Sequence, residues 1–101
     1  MAQVIDAIII NGTASGGGFS VNTSKHTYGL LREVIVKPTQ ETTTYTIKIT
    51  NPDSLVMFQR KAQTGSIGIE VALPIKGINT VEIVDSTVDE AFTTQLSIDE
   101  K

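Results

Sequence analysis

The sequence predicts an all-β protein, an antiparallel β-sandwich of about eight strands with a jelly-roll or immunoglobulin-like topology. Thr, Ile and Val make up more than a third of the 101 residues, and such β-branched side chains favour strands over helices. Turn signals recur at roughly 8–12-residue intervals, the spacing of sandwiches and small barrels. A chain of this length predicts a single domain over residues 1–101.

The most regular alternation covers residues 66–85 and is interpreted as a long central hairpin. Apolar residues occupy every second position of residues 67–75, the period of a strand with one buried face. The second arm alternates in the same way around Val81 and Ile83. Lys76-Gly77 separates the arms, and glycine tolerates the positive φ of tight turns. We therefore expect the other strands to pair and pack against this hairpin.

Two further predicted strands, residues 3–11 and 28–37, carry apolar side chains on both faces. In the second of them, alternation places Leu31 and Ile35 on one face and Val34 on the other. A strand that is apolar on both faces needs a second cover. That cover is a loop or terminus of the same chain, or another subunit. The candidate residues for an interface with another subunit are therefore Val4, Ile5, Ile9, Leu31 and Ile35.

The remaining predicted strands cover residues 19–21, 42–50, 55–62 and 91–98. Asn51-Pro-Asp-Ser54 is a strong turn signal, so 42–50 and 55–62 are predicted to form a hairpin. Residues 12–18 hold four glycines and predict a flexible surface loop. They lack the Gly-Lys-Ser/Thr ending of a phosphate-binding loop. Residues 86–90 are interpreted as a solvated connection.

Charge and hydropathy exclude two classes of partner. The net charge is −3, and the longest basic run is Arg60-Lys61, whereas nucleic-acid binders show a clustered basic face. No apolar run approaches the ~20 residues that span a bilayer. The amino terminus lacks the basic region and the small-residue cleavage site of a signal peptide. We expect no nucleic-acid or membrane partner, and synthesis in the cytoplasm.

Residues for catalysis or metal binding are scarce. The one histidine, His26, lies in a predicted loop, and there is no cysteine to complete a metal site. The Gly-x-Ser-x-Gly and His-Glu-x-x-His motifs do not occur. Glu33, Glu70 and Glu82 fall on predicted strands and are interpreted as solvated. We expect no enzymatic activity, no cofactor and no metal.

A carbohydrate-binding or adhesion module is the alternative, because many such modules are β-sandwiches with exposed aromatic rings. Tyr45, Phe58 and Phe92 fit the predicted core. Only Tyr28 and Phe19 then remain as candidates for exposed rings.

Several segments resemble small virion proteins of tailed bacteriophages. They are Gly29-Leu-Leu-Arg-Glu-Val-Ile-Val-Lys-Pro38, Thr44-Tyr-Thr-Ile-Lys-Ile49, Thr64-Gly65, Leu73-Pro-Ile-Lys-Gly-Ile-Asn-Thr-Val-Glu-Ile83 and Asp89-Glu-Ala-Phe92. The resemblance implies a capsid decoration or cement protein, made in the host cytoplasm and located in the virion. Its implied partners are the major capsid protein and further copies of itself, as a dimer or trimer. The segment 73–81 is also similar to hairpins of secreted sandwich domains appended to hydrolases.

Overall fold

The computed structural model describes residues 4–23 and 27–100, with side chains described for residues 7–23 and 28–99. The described residues form eight strands. They are β1 (Val4–Thr13), β2 (Phe19–Asn22), β3 (Thr27–Pro38), β4 (Thr44–Thr50), β5 (Val56–Thr64), β6 (Ile67–Gly77), β7 (Thr80–Val84) and β8 (Ala91–Glu100). The predicted all-β class is confirmed.

The strands form two four-stranded antiparallel sheets, in the orders β1-β8-β3-β6 and β2-β7-β4-β5. The pairings nest: β4 pairs with β5, β3 with β6, β2 with β7, and β1 with β8. The chain is therefore one long antiparallel ribbon, folded over so that its pairs alternate between the sheets. This is the jelly-roll arrangement, so of the two predicted topologies the immunoglobulin-like one is wrong.

The hairpin predicted between residues 42–50 and 55–62 is confirmed by the pairing of β4 with β5. The side chain of Asn51 holds the turn. Its Oδ1 accepts hydrogen bonds from the backbone N–H groups of Asp53 and Leu55, each at 3.0 Å. An Asn side chain that bonds to the backbone two residues on is a recurrent turn device, so the signal in the sequence had a local physical cause.

The predicted central hairpin over residues 66–85 is wrong. Strand β6 is an edge strand of one sheet and pairs only with β3, whereas β7 lies inside the other sheet. Between them the chain crosses the sandwich at Asn79, which is buried. The backbone N–H of Asn79 donates to Thr23 Oγ1 at 3.0 Å, and its carbonyl accepts from the Thr23 N–H at 2.8 Å. Alternation identifies the buried face of a strand but not its partner.

The core lies between the sheets and contains the three aromatic residues predicted for it. Tyr45 and Phe92 are fully buried, with ring centroids 5.2 Å apart in an edge-to-face contact. Phe58 is also buried. Phe19 packs partly buried against Phe92, at 5.9 Å between centroids. Glycine at position 12 leaves the space for this ring, because a Cβ there would lie 2.2 Å from a carbon of Phe19.

Strand β3 contains an irregularity that changes which residues it buries. Its pairing with both neighbours shifts between Leu31 and Glu33, and Arg32 is the extra residue relative to β8. As a result Leu31 joins Val34 in the core, both at 0% exposure, whereas Ile35 is only half-buried. The prediction that Leu31 and Ile35 share a face is wrong, because a bulge interrupts the two-residue period.

The glycine-rich segment forms the predicted loop, and Asp89 anchors it. The carboxylate of Asp89 accepts hydrogen bonds from the N–H groups of Gly16 and Gly17, at 3.2 and 3.0 Å. The carbonyl of Gly17 accepts another from the Ser86 N–H at 2.8 Å. The connection over residues 86–90, expected to be merely solvated, therefore holds the loop between β1 and β2.

Candidate interaction surface

The sheet β1-β8-β3-β6 presents one face to the core and an opposite face away from it, which we call the outer face. Side chains on the outer face alternate with the core residues of the same strands. On β1 the exposed Ala7, Ile9 and Asn11 alternate with the buried Ile8 and Ile10. The outer face also includes residues of the other three strands: Thr93, Gln95, Ser97, Glu33, Ile35, Lys37, Gly68 and Glu70.

Two predicted interface residues lie in one row across the outer face. In the strand register, Ile9 is opposite Gln95, Gln95 is opposite Ile35, and Ile35 is opposite Gly68. Ile9 is 59% exposed and Ile35 is half-buried. The row Ile9-Gln95-Ile35-Gly68 thus crosses all four strands without a charge, and we call it the apolar row.

The next row has a different character. It consists of Ala7, Ser97, Glu33 and Glu70 in register. The side chains of Ala7 and Ser97 are small, so they project only a short distance from the sheet beside the apolar row. Glu33 and Glu70 are directly opposite each other, and like charges in that position repel. In these two rows the charges therefore lie on β3 and β6, and the positions on β1 and β8 are uncharged.

An ion pair marks the place where β3 bulges. Arg32 Nη1 lies 3.3 Å from Asp99 Oδ2, with side-chain exposures of 54% and 13%. Because the guanidinium is largely solvated, the pair contributes little to the free energy of folding. It fixes the direction in which Arg32 leaves the sheet, between β3 and β8.

A second candidate surface is a cleft at one end of the sandwich, with a volume of about 750 Å³. Apolar side chains line most of it: Tyr28, Pro52, Met57, Pro74 and Ile78. The side chains of Asp53 and Lys76 stand at the same cleft. Tyr28 is 57% exposed, so its ring is available to a ligand, and Phe19 is not, because it packs on the core.

The structure separates the five predicted interface residues. Ile9 and Ile35 come together in the apolar row. Leu31 is fully buried between the sheets and cannot contact a partner, so its assignment is wrong because of the bulge in β3. Val4 and Ile5 belong to β1, and their side chains lie outside the described residues. His26 also lies outside the described residues.

Gln95 and Gly68, which complete the apolar row, are not among the residues predicted from sequence. Gln95 occupies an outward position in the alternation of β8, and that signal is present in the sequence. What the sequence does not contain is the register, which brings Gln95 between Ile9 and Ile35. Register depends on pairing between distant segments, and no local pattern specifies it.

Within the described residues, no group of three or more His, Cys, Asp or Glu side chains is arranged to hold a metal ion. Glu90 is buried, and its carboxylate accepts a hydrogen bond from the Thr43 hydroxyl. That contact joins the connection before β8 to the one before β4. The described residues form no helix long and apolar enough to cross a membrane.

Comparison with known proteins gives similarity at the level of structures alone. No family model and no curated protein matches the chain. A chain in the structure of infectious bursal disease virus Gt strain is 9% identical, with a TM-score of 0.43, over 96% of this chain and 32% of that chain. For the Gx strain the values are 11%, 0.36, 98% and 34%. The protein spans about a third of the length of these chains.

Proposed function

We propose that the protein is a non-enzymatic structural component of a virion. In this proposal it is a decoration or cement protein, of the kind carried by tailed bacteriophages, and binds the outer surface of a capsid as a homo-oligomer. The observation that supports it best is the apolar row, because Ile9 is 59% exposed on a sheet face that has no cover within the described chain. Apolar side chains presented together on an uncovered sheet face favour an interaction site there.

The size of the outer face suits such a contact. The molecule measures 43 × 26 × 20 Å, so its broad side offers on the order of 1,000 Å², compared with about 800 Å² per partner in a standard interface. Burial of an isoleucine side chain contributes about 1.5–3 kcal/mol. A surface that presents Ile9 on an edge strand and Ile35 on an inner strand can therefore anchor a stable complex, with the charged Glu33 and Glu70 in the neighbouring row.

The fold is compatible with the proposal without specifying it. Jelly rolls occur in viral capsid domains and in lectin domains, and one fold supports many functions. The chain contains no cysteine, so a single isolated domain relies on its modest core. Docking on a lattice adds stability through mass action, because a partner that binds only the folded state shifts the folding equilibrium.

The proposal is tested with the major capsid protein encoded in the same genome, expressed with this chain and assembled into heads. We expect the wild-type protein to sediment with the heads in a saturable manner. Ile35→Asp places a charge in the contact, and we expect binding at least ~30-fold weaker, since a desolvated charge costs at least ~2–3 kcal/mol. Ser20→Asp is the matched control, because Ser20 is exposed on the other sheet. Failure of the wild-type protein to sediment with heads would overturn the proposal.

A second candidate function, binding of a carbohydrate, is supported by the end cleft. Sugars stack on exposed aromatic rings, and Tyr28 is 57% exposed beside Asp53 and Lys76 in that cleft. If this function is correct, a glycan array gives a reproducible hit that Tyr28→Ala abolishes and Ile35→Asp leaves unchanged. An array without hits removes this candidate.

A further inference from the structure

The four edges of the two sheets differ in their protection against pairing with another strand. Exposed edges are normally blunted by shortness, charges, proline or bulges. Strand β2 has four residues, β5 carries Arg60 and Lys61 with an irregular register, and β6 contains Pro74 between Glu70 and Lys76. Strand β1 has ten residues, and from Ala7 to Thr13 it contains no charge, proline or register shift. It is the unprotected edge of the described molecule.

The hydrogen-bonding groups on the free side of β1 are identified by its ladder. The Ala14 N–H donates to the Glu90 carbonyl at 2.9 Å, and the register of β1 with β8 continues without a shift. In an antiparallel ladder, alternate residues bond to the same neighbour. The N–H and C=O groups of Ala7, Ile9 and Asn11 therefore point away from β8, towards the free edge.

We propose that this edge is a self-association site, at which β1 pairs antiparallel with β1 of a second copy. The molecular two-fold axis passes beside Ile9. The sheet β1-β8-β3-β6 of one copy and the same sheet of the other copy then form one eight-stranded sheet. This inference rests on the proposed assembly role and adds the partner to it. The partner is a second copy of the chain, and it binds at β1, the strand on which the apolar row ends. The pairing itself requires no capsid.

Self-pairing about Ile9 satisfies both faces of β1. Ile9 lies opposite its own copy, and Ala7 lies opposite Asn11 of the other copy, so the free backbone groups on each strand find partners. On the core side Ile8 comes opposite Ile10, which extends the buried layer across the axis. No like charges meet, because the one charged residue of β1, Asp6, comes opposite Gly12 of the other copy. A two-fold dimer is also the commonest closed assembly.

The absence of cysteine makes a disulfide test direct. Opposed residues in a hydrogen-bonded antiparallel pair have Cα atoms about 5.5 Å apart, within the range of a disulfide. We expect Ile9→Cys to cross-link into dimers on mild oxidation. The matched control is Ala72→Cys, exposed on the edge strand β6 of the same sheet, and we expect its cross-linked fraction to be about tenfold lower, because its thiols meet only by random encounter. Equal cross-linking of the two variants, or none of Ile9→Cys, would overturn the inference.

Two further variants test the register. Ala7→Cys and Asn11→Cys should each fail to cross-link alone, since each lies four residues from its own copy along the paired strands. Mixed together, they should form a heterodimer. Cross-linking of either variant alone contradicts the register centred on Ile9.

Sedimentation velocity of the unmodified protein separates this inference from the proposed function. We expect a species of twice the 10.8 kDa chain mass, and for Ile9→Lys a folded monomer whose unfolding midpoint, unlike that of the wild type, does not rise with protein concentration. If the protein forms a dimer but does not bind heads, the pairing of β1 is supported and the proposed capsid role is contradicted. A wild-type protein that stays monomeric at high concentration removes the pairing, and head binding is then judged by Ile35→Asp alone.

Discussion

Ile9 and Ile35 lie on either side of Gln95 in a single row across the outer face of the sheet β1-β8-β3-β6. The two isoleucines are distant in sequence and belong to strands that do not pair with each other. Strand β8 brings them together by pairing with both β1 and β3. The nested jelly-roll pairing, rather than any local motif, creates the candidate interface.

The bulge in β3 predicts very different costs for two neighbouring substitutions. Leu31→Ala should lower the free energy of unfolding by about 2–5 kcal/mol, because Leu31 is fully buried and its removal leaves a cavity. Ile35→Ala should cost less than about 1.5 kcal/mol, because that side chain is half-buried on the outer face. Urea denaturation of the two variants measures both values. Similar costs would contradict the burial pattern set by the bulge.

The hydroxyl of Tyr45 predicts a loss of stability at alkaline pH. It donates to the Gly65 carbonyl at 2.7 Å, and burial together with the charge of Glu41 raises the pKa of Tyr45 from 10.0 to about 12. The unfolded chain ionises first, so this contribution to stability is complete below pH 10 and is lost as the pH rises from 10 towards about 12.

Urea midpoints of the wild type and Tyr45→Phe across this pH range test the assignment. The variant should be less stable at neutral pH and should decline less on going above pH 10. The Tyr28→Phe background leaves Tyr45 as the sole phenol, so an absorbance titration then reports its ionisation directly. An equal alkaline decline in Tyr45→Phe would show that another group is responsible.

Replacement of Ala62 by glycine is expected to stabilise the folded protein. Its φ is 54°, in the left-handed region, at the point where the pairing of β4 with β5 skips from Gln63 to Arg60. That conformation costs an L-residue about 1–2 kcal/mol, part of which glycine recovers. Ala62→Gly should therefore raise the free energy of unfolding by about 0.5–1 kcal/mol. Ala72→Gly, in an extended strand, should lower it and serves as the control.

The hydrogen bonds of Asp89 are expected to protect the backbone amides of the glycine-rich loop from hydrogen exchange. Asp89→Ala removes the acceptor of the Gly16 and Gly17 N–H groups. We expect hydrogen exchange at these two amides to speed up by about tenfold, the equivalent of losing ~1.4 kcal/mol of protection. Asp53→Ala, at the opposite turn, should leave them unchanged. If both variants exchange at the wild-type rate, Asp89 does not hold the loop.

The sequence predicted those parts of the fold that depend on local chemistry. The β4–β5 turn follows from Asn51, whose side chain bonds to its own turn, and the aromatic core follows from alternation around Tyr45 and Phe92. The central hairpin failed for a different reason. Residues on both sides of Lys76-Gly77 alternate well, but the partner of β6 is β3, far away in sequence.

The candidate surface was predicted only in part, because it also depends on which strands pair with each other. Ile9 was recognisable as an apolar residue on the second face of an apolar strand. The bulge that turns Leu31 inwards depends on pairing with β6 and β8 together. The lack of protection on β1 becomes visible only once the order of the strands shows which four are edges.

The central claim is that the outer face of the sheet β1-β8-β3-β6 contacts a capsid. Electron cryomicroscopy tests it most directly, on heads assembled from the major capsid protein of the same genome and incubated with this chain. The predicted result is a layer of added density on the head, fitted by the jelly roll with Ile35 and Gln95 against the shell. A shell without added density, or a chain bound through the cleft at Tyr28, would contradict the claim.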